Sequence, residues 1–107
     1  MAKVIITKKL EDEVNKLFKK ESIKIFELMK TLEENPYKGK AVGQVGGIVI
    51  KELKHDSYRF YFVADGFEIK ILKKEELSDL LIKFVRMSNK KDQQKVINEI
   101  KNVLKTL

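Results

Sequence analysis

Between residues 48 and 73 the chain carries short runs of β-branched and aromatic residues in which apolar and charged positions exchange at close spacing, and these predict strands at roughly 48–54, 58–64 and 67–73. Asp65-Gly66 separates the last two and predicts a tight hairpin, because both central turn residues need positive φ. Ahead of this block, Val4 to Thr7 reads as a short first strand. Leu10, Val14, Leu17 and Phe18 then recur at helical spacing, as do Ile25, Leu28, Met29 and Leu32 after a break near Glu21-Ser22. Asn35-Pro36 closes this predicted helical hairpin, since the residue before proline is driven out of the helical region. Residues 37–47 hold four of the five glycines and read as a mobile connector bearing Lys38 and Lys40. Lys73 to Asp79 reads as a polar insertion and Leu80 to Met87 as a further strand. Ser88 or Asn89 is placed to cap a final helix whose buried stripe is Val96, Ile100, Val103 and Leu107, with Ile97 and Leu104 beside it.

The expected fold is therefore α+β, a single domain over residues 1–107: a helical hairpin on a mostly antiparallel sheet of four to five strands, followed by a C-terminal helix. Within it, period-two alternation puts Tyr58, Phe60 and Phe62 on one sheet face and Arg59 and Tyr61 on the other. An unpaired guanidinium is too costly to bury, so Arg59 is expected to open onto a groove where a carboxylate or another anion meets it.

Charge sharpens that expectation. The chain is +7, and the surplus is uneven: residues 1–36 hold eight basic and seven acidic groups, residues 37–107 fifteen and nine. The C-terminal two-thirds is the part expected to meet a polyanion. Lys90-Lys91 opens the last predicted helix against its macrodipole, at a cost of about 0.3–1 kcal/mol per cation, which an anion bound at that end would offset. The absence of cysteine excludes disulfides, thiolate zinc sites and cysteine nucleophiles. His55 is the single histidine and a possible general base beside Asp56. No metal site and no cofactor are expected. The glycine-rich run lacks the Lys-Ser/Thr and helix of a phosphate loop. No apolar run approaches about 18 residues, so a soluble, cytoplasmic protein without a membrane partner is expected.

Several local words occur in a telling order: Asn35-Pro36, Glu52-Leu53-Lys54, Tyr58-Arg59-Phe60-Tyr61-Phe62, Asp65-Gly66, and Lys90-Lys91 before an amphipathic helix. Across about residues 3–105 this pattern resembles the RelE/ParE toxin superfamily, and within it the HigB-like phage-derived group. The resemblance implies the toxin of a type II toxin–antitoxin system, an mRNA endoribonuclease that works on the ribosome without a metal and is silenced by a small acidic antitoxin. It implies catalytic roles for Arg59, Lys54 and Lys91. Lys38, Lys40, Lys51, Tyr61, Arg86 and Lys90 are the expected RNA contacts, and Glu52 or His55 the expected base. Where RelE-like enzymes place a tyrosine in the last helix, this chain has Val96-Ile97. Two other readings stay open: a non-cleaving basic module, either a ParE-like gyrase inhibitor or an RNA-binding protein, and a metal-dependent nuclease using Glu68 and Lys70.

Overall fold

Residues 2–66, 68–87 and 89–106 are described by a computed structural model, in which the side chains of Leu104 and Thr106 are not described. In chain order the elements are β1 (Lys3–Ile6), α1 (Lys8–Phe18), a 3-10 turn (Lys19–Glu21), α2 (Ser22–Glu34), β2 (Lys40–Val45), β3 (Ile48–His55), β4 (Tyr58–Asp65), β5 (Glu68–Leu72), α3 (Lys74–Met87) and α4 (Lys90–Thr106). The strands form one sheet in the order β1-β5-β4-β3-β2, with β1 parallel to β5 and the other pairs antiparallel. The α+β class, the helical hairpin and the C-terminal helix are as the sequence predicts.

Tight turns hold the meander in register. Val45 pairs with Ile48, His55 with Tyr58 and Asp65 with Glu68, so each connection spans two residues. The first residue of each turn has positive φ: Gly46 at 61°, Asp56 at 52° and Gly66 at 62°. Glycine takes that conformation without strain, and aspartate is among the few other residues that tolerate it. The last turn is displaced by one residue from the expected Asp65-Gly66, because Asp65 stays in β4 and pairs with Glu68.

Two expectations are corrected. Leu80 to Met87 is not a strand but the second half of α3. Its apolar run is ambiguous when read alone, but Glu75 and Glu76 in the first turn favour a helix N-terminus, and Leu77 and Leu81 fall on one buried stripe. Residues 40–45 of the supposed connector form edge strand β2, which pairs with β3 around a bulge between Ala41 and Gly43. The fifth strand therefore comes from the glycine-rich segment rather than from residues 80–87.

The sheet separates two cores. On one face α1 and α2 cover Leu53, Phe60, Phe62, Ile69 and Ile71 with Leu10, Val14, Ile25, Met29 and Leu32. On the other face α3 and α4 cover Ile50, Tyr61, Val63 and Leu72 with Leu77, Leu81, Ile100 and Val103. Gly43 seats α4: a Cβ at that position would overlap the Val103 side chain. The capping residue of α4 is Asn89, whose Oδ1 accepts from the Asp92 amide at 3.1 Å. Ser88, the other candidate cap, and Leu107 of the expected stripe lie outside the described residues.

One hydroxyl joins the starts of two helices. Thr7 caps α1, its Oγ1 accepting from the Leu10 amide at 3.4 Å, and it donates to Glu76 Oε1 of α3 at 2.6 Å. The Lys73 amide donates to the same oxygen at 3.0 Å. Burial opposes ionisation of Glu76, but the Thr7 hydroxyl, the Lys73 amide and the charges of Lys9 and Lys70 together hold its carboxyl below the ordinary glutamate range.

Two outcomes are expected. A folded-state carboxyl pKa below the unfolded one stabilises the fold above the ordinary glutamate range and ceases to do so as pH falls through the depressed value. Glu76→Gln should therefore destabilise the protein in urea titrations at neutral pH, by up to about 1.5–3 kcal/mol, the scale of hydrogen bonds to a charged group, and the difference from wild type should vanish in acid. Gly43→Val should cost about 1–3 kcal/mol through overpacking and make α4 the first site of limited proteolysis.

Candidate functional site

β4 is buried on both faces from Phe60 to Val63 but ends exposed at Tyr58 and Arg59. Arg59 is where the sheet face under α3 and α4 emerges from cover, and its side chain is 52% exposed. The register fixes its neighbours. Lys54 lies directly opposite on β3, and the next row inward on the same face is Lys40, Glu52 and Tyr61. Arg59 Nη1 reaches diagonally to Glu52 Oε2 at 3.8 Å, and Glu52 is only 12% exposed. Lys40, Ala41, Val42, Glu52 and Arg59 line a small cleft of about 200 Å³.

The electrostatics of this patch are unbalanced. Like charges directly opposite on neighbouring strands repel, and Lys54 faces Arg59 in that way. Glu52 is the carboxylate beside them, and at 3.8 Å it makes a loose pair rather than a bidentate one. Three cations around one shielded carboxylate make a site that can pair with an anion and keep a carboxylate beside it.

Of the expected site residues, then, Lys40, Glu52, Lys54 and Arg59 come together. Tyr61 shares their face but is buried in the second core, which removes it as a stacking surface. Lys51 belongs to the opposite face, where its Nζ donates to the Tyr37 carbonyl at 3.3 Å. Lys38 donates to Thr31 Oγ1 of α2 at 3.3 Å. His55 also leaves the patch; it sits edge-on to Phe18, with Nε2 at 3.6 Å from Asp56 Oδ2.

Arg86, Lys90 and Lys91 form a separate corner. The Gly46 amide donates to Glu99 Oε2 at 3.4 Å, and Val103 meets Gly43, so α4 runs over β2 toward the patch with its C-terminal end leading. Lys91 begins two turns before Glu99, beyond the β2–β3 turn. Helix rise and strand rise together place it on the order of 20–30 Å from Arg59. The expected convergence of the two basic groups is therefore corrected: the direction of α4 sets them at opposite ends.

Glu68 and Lys70 do share a face of β5, and Asp65 lies across from Glu68. Among the described residues no group of three His, Cys, Asp or Glu side chains is arranged to hold a metal ion, and no helix is long and apolar enough to cross a membrane. Sequence reasoning overlooked the wall that Val42 builds at the β2 bulge, and a second cleft beside Tyr58. The aromatic Phe18 at the end of α1 was the available signal for the latter. Comparison with protein-family models, curated proteins and solved structures gave no match to this chain.

Because Arg59 is half exposed and its ion pair is long, it contributes little to folding. Arg59→Met should lower the unfolding free energy read from urea titrations by no more than about 1 kcal/mol, since the pair is long and its cation half exposed, while lowering affinity for heparin.

Proposed function

We propose that this chain is a RelE/HigB-like toxin that cleaves translating mRNA without a metal and is restrained by a small acidic antitoxin. The observation that carries the reading is the juxtaposition of Glu52, Arg59, Lys54 and Lys40 at the open end of an otherwise covered sheet face. The order of the sequence words and the excess of basic charge in the C-terminal two-thirds support it.

In this reading the Glu52 carboxylate takes the proton of a ribose 2′-hydroxyl, and the freed oxygen attacks the neighbouring phosphorus. The O2′–P bond forms as the P–O5′ bond breaks, leaving a 2′,3′-cyclic phosphate and a 5′-hydroxyl that takes a proton. Arg59 neutralises the charge that builds on the non-bridging oxygens, and Lys54 lies beside it to serve the departing oxygen. Lys40 takes the place in the patch that the resemblance gives to Lys91, since Lys91 lies at the far corner.

Inducing the protein in cells and mapping new mRNA 5′ ends tests this reading. Wild type should produce new 5′-hydroxyl ends, and on ribosomes it should cut with chelator present. Arg59→Ala and Glu52→Gln should each lower cutting by roughly 10²–10³-fold, the scale of losing one stabilising donor or a general base. Growth arrest without new ends would replace it with the non-cleaving gyrase or RNA-binding reading. Cutting that stops with chelator would point to Glu68 and Lys70 instead.

A further inference from the structure

β5 ends earlier than β4 does. Its last residue, Leu72, pairs with Tyr61, so among the described residues Tyr58, Arg59 and Phe60 have no strand on that side. The chain turns away through Lys73 into α3, and α1 lies across the gap. The result is a cleft of about 190 Å³ in which apolar groups, among them Leu17, Phe18, Tyr58 and Leu72, meet a charged rim of Glu13, Lys73, Lys74 and Glu75. Phe18 packs edge-on against Tyr58 with ring centroids 4.7 Å apart, yet Tyr58 stays 44% exposed and Leu17 51% exposed. Exposed apolar side chains around a concave aromatic floor are not needed by either core.

Arg59 belongs to both clefts: it lines this apolar one and the charged one beside Glu52. Its backbone adds a polar edge. The residues flanking a two-residue hairpin form a hydrogen-bonded pair, so Asp65 faces Glu68, and every second residue back along β4 turns its N–H and C=O the same way. At Arg59 that direction is the side β5 has left. One residue therefore presents a guanidinium toward the phosphate patch and an amide and carbonyl toward an aromatic cleft.

Resting on the RNA-directed reading above, we propose that the cleft between α1 and the free edge of β4 is a nucleobase subsite. It takes the base of a nucleotide whose phosphate is held by Arg59. Tyr58 supplies the stacking surface, and the Arg59 backbone meets the edge of the base. Charge complementarity selects a nucleic acid over an apolar peptide, because Arg59, Lys73 and Lys74 outnumber Glu13 and Glu75 in the lining and Arg59 also lines the cleft that holds Lys40.

The test compares a labelled, non-cleavable 2′-O-methyl oligoadenosine with an abasic chain of the same length, by fluorescence anisotropy on the whole protein. Wild type should prefer the base-bearing chain by roughly tenfold or more, the scale of one base stacked on an aromatic ring. Tyr58→Leu, which keeps apolar volume, should abolish that preference while preserving salt-dependent binding of the abasic chain. Leu17→Arg, which fills the cleft mouth from an exposed helix position, should do the same. Equal wild-type affinity for both chains overturns the subsite and leaves the phosphate patch standing; no binding of either chain overturns both. A base preference indifferent to Tyr58→Leu and Leu17→Arg also overturns it, and leaves the cleft to a protein partner.

Discussion

The fold depends on a strand that must be buried twice. From Phe60 to Val63, β4 is covered on both faces, so Phe60 and Phe62 need the α1–α2 layer while Tyr61 and Val63 need α3 and α4. Neither pair of helices alone satisfies it, and a slip of one residue would exchange the two sets of side chains between cores. The three two-residue turns fix that register. Cover ends before Phe60, and there the strand carries Arg59 instead of another apolar residue.

The Thr7–Glu76 contact has a matching role at the edge of the same sheet. It binds the first turn of α1 to the first turn of α3, and these two helices form the walls beside the free edge of β4. Their separation decides whether a cleft exists, and one short hydrogen bond between a hydroxyl and a carboxylate helps to set it. The groups proposed to handle RNA stand on strands β2, β3 and β4 rather than on loops, so their spacing follows from strand geometry. Rigid presentation of that kind suits a reaction driven by placing charge around a phosphate.

Much of this was legible in the sequence where the information is local. Alternation in Tyr58–Phe62 put Arg59 opposite Phe60 and Phe62, helical spacing gave both members of the N-terminal hairpin, and Asp65-Gly66 located a turn to within one residue. What was hidden depends on distant contacts. Residues 40–45 have the glycines of a loop, and their strand character comes from β3 on one side and Val103 on Gly43. Leu80–Met87 has a strand's composition, and the helix that absorbs it starts outside that run, at Glu75 and Glu76, the latter also tied to Thr7 far away in sequence. The grouping of Arg86, Lys90 and Lys91 with Arg59 failed for the same reason. Local pattern shows that α4 exists, but its direction over the sheet is set by where it seats on β2.

The central claim is a location: polyanion binding belongs to the open end of β2, β3 and β4, not to the basic corner where α3 meets α4. Amide chemical-shift mapping with a non-cleavable oligoribonucleotide reads that location residue by residue. The account predicts perturbations centred on Lys40, Glu52, Lys54, Tyr58 and Arg59, with Arg86, Lys90 and Lys91 unmoved. Perturbations centred on Arg86, Lys90 and Lys91, with β4 silent, would contradict it.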